Sequence, residues 1–319
     1  MPKRPAAEAE ERLKRVGPQK AELLRYLDEE VGAAKLLASL PTSHAPEKAS
    51  LSRTVWMYWH DGWENAPELT KLCLQSWRLR NPDLEIRALD YRTLPAALQN
   101  PPVHHEASTL NGFANRVRLR LLREHGGIWV DATLFCTQPA FDWLSPLARD
   151  AGLFGFALSQ DRIIATWLLA ATSPCSPLMA AWEELYSAYF AALEAQGRSV
   201  HAYFAMPYAL EHAISLRSDL QSLWAALPKR PIGTSNRLLF LANLEAGNRT
   251  PLTPKRCEAI KTTLQRAPVH KLTWKGAVRE KAPAADQLLD ILRENLAGAA
   301  WTAEGTAPAA QTYKTRPAC

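Results

Sequence analysis

The strongest constraint on this chain is the rhythm of residues 54 to 131, where short apolar strands alternate with helix-length stretches. Thr54–Trp59 (TVWMYW) is β-branched and aromatic, Leu84–Leu89 (LEIRAL) is a second such run, and a helical stretch over Glu68–Arg80 separates them. Asn81-Pro82-Asp83 divides helix from strand, because proline disfavours helical geometry in the residue before it. A third repeat of the rhythm runs from Asn111 through a helix to Gly126-Gly127 and the strand Ile128–Val130. Strands and helices in this order predict an α/β fold with a mostly parallel central sheet.

The flanks read more simply. Ala21–Leu40 carries Leu23, Leu24, Leu27, Val31 and Ala34 at helical spacing until Pro41, and Leu40–Leu51 is Pro- and Ser-rich like a linker. Further on come an apolar run at Ile163–Ala171 and helical stretches at Leu178–Leu193 and Tyr208–Ile214. A last amphipathic helix (Leu288, Leu289, Ile291, Leu292, Leu296) precedes a Thr-, Ala- and Pro-rich tail from Ala297, expected to be loose. The expected organisation is an N-terminal helical extension and linker over 1–50, the α/β domain over 51–283, and a C-terminal helix and tail over 284–319.

With 319 residues and 47% apolar composition the chain can bury a large core, which excludes a disordered or fibrous protein. No apolar run approaches the roughly 18 residues needed to cross a bilayer. The polar N-terminus MPKRPAAEAEERLKR lacks the apolar core of a secretory signal, so a cytoplasmic location is expected. Five widely spaced cysteines (Cys73, Cys136, Cys175, Cys257, Cys319) fit neither a disulfide framework nor a thiolate metal site and read as reduced, structural thiols. The net charge of +6 is unevenly spread: Lys229–Ala282 holds twelve Lys and Arg against three acids, a local +9. Such a segment is either a surface for phosphates or a solvated face.

Chemistry concentrates in Ala114–Thr133, ANRVRLRLLREHGGIWVDAT. A helical wheel puts Phe113, Ala114, Val117 and Leu121 on the apolar face and Arg116, Arg120 and Arg123 opposite, where solvation is expected. Arg118 falls on the border of the buried face with Asn115 one turn before it. A buried guanidinium needs a partner, either a ligand or a structural ion pair. Gly126-Gly127 can end the helix and turn the chain into the strand, leaving Asp131 at its carboxyl end with Thr133 two residues on. Ligands of open α/β sheets bind outside these ends, so Asp131 is a candidate metal or ribose contact, a turn or helix cap being the other reading. His60 and His104-His105 read as loop histidines, Trp77 and Trp129 as core, and Trp167 as core or a sugar-stacking ring. Cys136 lacks the paired His of a nucleophile.

The segment Trp56–Asp90 (WMYWHDGWENAPELTKLCLQSWRLRNPDLEIRALD) together with the helix-GGIWVDAT block resembles bacterial capsular polysaccharide synthesis proteins, relatives of family 32 glycosyltransferases with a DXD motif. The similarity continues through IIATWLLAATSPCSPLM (Ile163–Met179) to PVHKLTWK (Pro268–Lys275), four blocks in one order. It implies a GT-A fold, Rossmann-like and nucleotide-sugar-binding, that transfers a glycosyl group to an acceptor hydroxyl with retention of anomeric configuration. By motif position Trp56, Tyr58 and Trp59 would lie near the base and Asp90 would contact the nucleoside. Asn115 and Arg118 would meet the donor sugar and nucleotide and, with Asp131, make up the implied catalytic set. Asp131 matches the first DXD carboxylate, Thr133 stands for the second, and His270 matches a C-terminal metal-closing histidine. The three are the implied ligands of Mn²⁺ or Mg²⁺, with Lys271 reaching the diphosphate. Asn115 stands where the family often has Asp, and Pro207 near where a His is expected after Tyr203-Phe204.

The expected partners are a nucleotide sugar and a saccharide or lipid-linked saccharide acceptor in surface polysaccharide synthesis, with peripheral association at the inner face of the plasma membrane. Two alternatives compete: a protein-modifying DXD glycosyltransferase, and a phosphate- or nucleic-acid-binding protein without chemistry. No nucleic acid is expected as a partner, since no recognised module is present and the aromatics are not interleaved with basic residues.

Overall fold

A computed structural model describes residues 6–41, 50–103, 109–149, 152–158, 163–172, 176–199, 202–242, 250–276, 278 and 282–300. His104-His105, Cys175, Cys319, most of the expected linker and residues 301–319 of the expected tail lie outside them. In chain order the first elements are α1 (Ala6–Glu29), α2 (Ala33–Ala38), β1 (Thr54–Tyr58), α3 (Glu68–Arg80), β2 (Glu85–Leu89), α4 (Leu94–Ala97), α5 (Leu110–His125), β3 (Gly127–Val130) and β4 (Leu134–Cys136). There follow α6 (Phe141–Arg149), β5 (Leu153–Ala157), β6 (Ile164–Ala171), α7 (Pro177–Ala195), α8 (Ala205–Leu216), α9 (Ser218–Ala226), α10 (Arg237–Leu241), α11 (Pro254–Leu264), β7 (Val269–Lys271) and α12 (Pro283–Ala300).

These elements fall into two compact units, each discontinuous in sequence: Met1–Ser52, Ala97–Gly126 and Leu147–Pro231 form the first, and Arg53–Ala96, Gly127–Pro146 and Ile232–Cys319 the second.

In the second unit β1 is the middle strand of a parallel set, pairing Val55 with Ile86 of β2 on one side and with Ile128 of β3 on the other. All five β1 residues are buried, as expected of a strand covered on both faces. The helix between β1 and β2 starts after Pro67, with Glu68 in its first turn and Arg78 and Arg80 in its last, each charge matched to the helix dipole. Gly127 sits at φ 88, and a Cβ there would lie 2.6 Å from the Thr54 carbonyl oxygen, so only glycine lets β3 approach β1 this closely. A short antiparallel pair, β4 with β7, adjoins this set in sequence, and α3, α11 and α12 close an apolar cluster around Leu72, Phe135, Leu264, Leu288 and Leu292. The terminal helix therefore belongs to the core of this unit, and it continues to Ala300, past the expected loosening at Ala297.

In the first unit the expected single helix over Ala21–Leu40 is two helices. Gly32, at φ 67, breaks the run that Val31 was expected to continue. Helix α5 is capped by Thr109, whose hydroxyl accepts from the Gly112 amide at 3.1 Å, and ends at Gly126 with φ 65. It packs on α7 so closely that a Cβ on Gly112 would meet the Phe190 ring at 2.9 Å. This second neighbour corrects the wheel reading, because Arg116 and Arg120 are partly covered and ion-paired. Arg116 pairs with Glu194 at 2.8 Å and lies over the Phe190 ring, and Arg120 pairs with Glu183 at 2.9 Å. Strands β5 and β6 form an antiparallel pair, on which Trp167 stacks against Phe156 at 5.1 Å and is buried, a core ring and not an open platform.

Glu183 is only 4% exposed in its side chain and also accepts from the Ser187 hydroxyl at 2.6 Å. Replacing Arg120 by leucine should strand this carboxylate and cost about 3 kcal/mol by chemical denaturation. Replacing both residues by leucine should recover most of that loss, and an additive double variant would show that the pair is not coupled.

Candidate active site

Strands β1, β2 and β3 run parallel, so the residues that follow them gather at one carboxyl edge of the second unit: Trp59 and His60, Asp90 and Tyr91, and Asp131. After β2, Asp90 is buried, its Oδ1 accepts from the Thr93 amide at 2.9 Å and its Oδ2 from the Arg92 guanidinium at 2.8 Å. Burial alone would raise this carboxyl, but hydrogen bonds from Arg92 and Thr93 outweigh it and hold it below the usual range. Asp90 thus fastens the turn into α4.

After β1, the Tyr58 hydroxyl meets His60 Nδ1 at 2.8 Å, and the His60 ring lies 5.1 Å from that of Tyr91, which is 43% exposed. Burial, and then the nearby Asp90 charge, raise the Tyr58 phenol well above its ordinary value. Trp59 is half-buried and meets Trp274 edge-on at 5.5 Å, whereas Trp56 is buried beneath the Arg87 guanidinium. Of the three aromatics expected near a base, Trp59 is the least buried. The pairing of His60 with Tyr91 and of Trp59 with Trp274 was missed by sequence reading. Their signal was position, each coming directly after a strand or its short continuation.

After β3, the Leu134 amide donates to the Asp131 carbonyl at 2.9 Å, a tight turn that brings Asp131 and Thr133 round to one place. The ladder of β4 and β7 then fixes what meets them: Leu134 pairs with Lys271, Phe135 with His270, and the Leu272 amide donates to the Thr133 carbonyl. Lys271 Nζ lies 2.9 Å from Asp131 Oδ2 and 2.6 Å from Thr133 Oγ1. Asp131 Oδ1 accepts from the Trp129 indole at 3.0 Å. Side chains of Lys271 and Asp131 keep 21% and 24% of their exposure, so neither is sealed from solvent.

His270 takes the opposite course. Successive strand residues face opposite sides, so His270 turns with Phe135 toward the apolar cluster while Lys271 turns to Asp131. Its ring is 0% exposed and its Nε2 donates to the Leu264 carbonyl at 3.2 Å. Burial pushes its pKa down to about 4, partly offset by the Leu264 and Ala267 backbone. Among the described residues no three His, Cys, Asp or Glu side chains are grouped to hold a metal ion. The donor set Asp131, Thr133 and His270 therefore does not fit a divalent cation as arranged: the imidazole faces away, and an ammonium already bridges the two oxygens.

Asn115 and Arg118 belong to the first unit. Both are buried, Asn115 Nδ2 donating to the Tyr186 hydroxyl at 3.4 Å and Arg118 Nη1 lying 3.8 Å from Met206 Sδ. Tyr186 is raised to about 12 by burial, against the pull of Asn115 and of the Arg118 and Arg116 charges. In the second unit Cys136 is buried and its thiol pushed up to about 12, which leaves it protonated and unreactive at neutral pH. Of the basic segment, Lys255, Arg256 and Lys261 are exposed on α11, and Lys261 pairs with Glu294.

An α/β unit with a charged centre at the carboxyl edge of its parallel strands is the arrangement of a ligand-binding α/β protein. The chain belongs to the capsular polysaccharide synthesis protein family, whose profile matches residues 7–291. It is also similar to the O-glycosyltransferase PaGT of Phomopsis amygdali, 27% identical over 139 residues, which cover 37% of this chain and 34% of that one. The chain thus matches about a third of that relative's length. The solved structure of PaToxG Glycosyltransferase aligns over 88% of this chain and 97% of its own at 13% identity and a TM-score of 0.36. No helix among the described residues is long and apolar enough to cross a membrane.

His270 gives a pH signature. Its folded value of about 4 lies below the ordinary 6.5, so the unfolded chain takes up the proton first as pH falls. The stability it contributes is complete above about pH 6.5 and is lost as pH drops toward 4. Urea midpoints measured from pH 7 to pH 4.5 should fall less steeply in His270→Gln than in the unaltered chain. Equal slopes would contradict the buried, neutral imidazole.

Proposed function

We propose that the chain is a glycosyltransferase that moves a sugar from a nucleotide-sugar donor to an acceptor hydroxyl, with retention, in the synthesis of capsular or other surface polysaccharide. The observation that supports this reading most is the meeting of Lys271 with Asp131 and Thr133 at the carboxyl edge of the parallel strands, across 140 and 138 residues of sequence. A partly exposed lysine there suits a diphosphate. Two ring pairs at the neighbouring strand ends, Trp59 with Trp274 and His60 with Tyr91, offer faces that suit a nucleobase.

The reaction breaks the bond between the anomeric carbon and the terminal phosphate oxygen, and the electron pair goes to that oxygen. The acceptor oxygen forms the new glycosidic bond, and its proton passes to the departing nucleoside diphosphate. Negative charge thus grows on the leaving phosphate, and a fixed cation there stabilises the transition state more than the ground state. Asp131 and Thr133 aim the Lys271 ammonium, and the Trp129 indole aims Asp131. A lipid-linked saccharide acceptor at the membrane surface completes the proposal.

The test is donor hydrolysis and sugar transfer, measured by mass spectrometry against a panel of nucleotide sugars. Asp131→Ala should lower turnover by about 100-fold with little change in melting temperature. Full activity in that variant, with the unaltered chain active, would remove Asp131 from the site.

A further inference from the structure

Resting on the transferase reading, we propose that Lys271 takes the place of a divalent cation in this chain, so that it binds and releases the nucleoside diphosphate without metal. Three observations converge on this. First, the ammonium lies between the two side chains that stand in the DXD positions, within hydrogen-bond distance of both. Those two residues stand where the resemblance puts two of the metal's ligands. An ammonium has three donors; Asp131 and Thr133 take two, and the side chain's partial exposure lets a phosphate oxygen reach the third.

Second, the charges match a monovalent cation better than a divalent one. Thr133 is neutral, so the pair offers one carboxylate, and Lys271 already balances it. Both Asp131 oxygens also accept from N–H donors, Oδ1 from the indole of Trp129 and Oδ2 from Lys271. A metal ion bound to the Asp131 oxygen that Lys271 already contacts would stand beside a like charge about 3 Å away.

Third, β7 leaves no imidazole for the task. Its register gives the Asp131 side to Lys271 and the core side to His270, and exchanging them would require a one-residue slip of the strand. Such a slip would carry the lysine into the apolar cluster with Phe135 and Leu264. The alternation that buries His270 is thus the same one that delivers Lys271.

The consequence is a centre whose cation arrives with folding and needs no loading. During transfer the anomeric carbon–oxygen bond breaks, its electron pair stays on the phosphate oxygen, and Lys271 donates a hydrogen bond to that oxygen without giving up its proton. No oxidant, reductant or metal enters the balance.

The full chain should be titrated with uridine, guanosine and cytidine diphosphates by calorimetry, in EDTA and again in Mn²⁺, and assayed for donor hydrolysis in both. The expected result is that the preferred diphosphate binds in EDTA within about twofold of its affinity in Mn²⁺, and that hydrolysis persists in EDTA. Lys271→Met, which keeps the apolar stem and removes the charge, should weaken binding in EDTA by tenfold or more. Mn²⁺ should restore part of that loss, because the vacated position between Asp131 and Thr133 is then open. A merely structural lysine would give no such rescue.

Binding and hydrolysis by the unaltered chain only with Mn²⁺ would overturn the substitution while leaving the transferase reading intact. Failure to bind any diphosphate or hydrolyse any nucleotide sugar under either condition would overturn both. The unaltered chain decides between these outcomes even if Lys271→Met does not fold.

Discussion

The contact of Lys271 with Asp131 and Thr133 joins the turn after β3 to β7 at the carboxyl edge of the second unit's parallel strands. It depends on a sequence of local constraints. Gly127 lets β3 lie against β1, which sets where Asp131 emerges. The turn from Asp131 to Leu134 reverses the chain into β4, and β4 fixes the register of β7. Beneath this, the Trp77 indole donates to the Leu134 carbonyl at 2.8 Å, and Asn81 bonds both the Trp77 carbonyl and the Ala140 amide. A buried polar network of this kind holds the turn without reaching the ligand side.

Charge at this centre is local. The excess over Lys229–Ala282 fits a surface for phosphates or a solvated face; α11 carries three of its twelve Lys and Arg, all exposed, and a surface pair such as Lys261 with Glu294 contributes little to stability. One lysine of the segment meets the Asp131 carboxylate. On the proposed reading its effect comes from position: an ammonium held by two oxygens at a sheet edge is fixed where charge would develop on a leaving phosphate.

The parallel βαβ rhythm and the helices α3, α5, α7, α8 and α12 were legible in the sequence, because they are long enough for apolar periodicity to be unambiguous. Three-residue strands are not: β4 and β7 exist through each other and through Phe135 and Leu272 in the core, which no local pattern announces. The wheel of α5 failed at Arg116 and Arg120 since it allows one buried face, whereas α7 covers a second with Glu183 and Glu194 ready to pair. Asp131 was found from its place at a strand end. The choice between His270 and Lys271 as its partner turned on a single residue of register, which composition and spacing do not contain.

The central claim is that the Asp131, Thr133 and Lys271 centre holds the diphosphate of a nucleotide donor. Hydrogen exchange read by mass spectrometry tests it directly, by mapping where a saturating nucleoside diphosphate protects the backbone. The account predicts slowed exchange over the Asp131–Cys136 turn and strand and over Val269–Lys275, with α11 unchanged. Protection confined to α11, or none at those two segments while the diphosphate is bound, would contradict it.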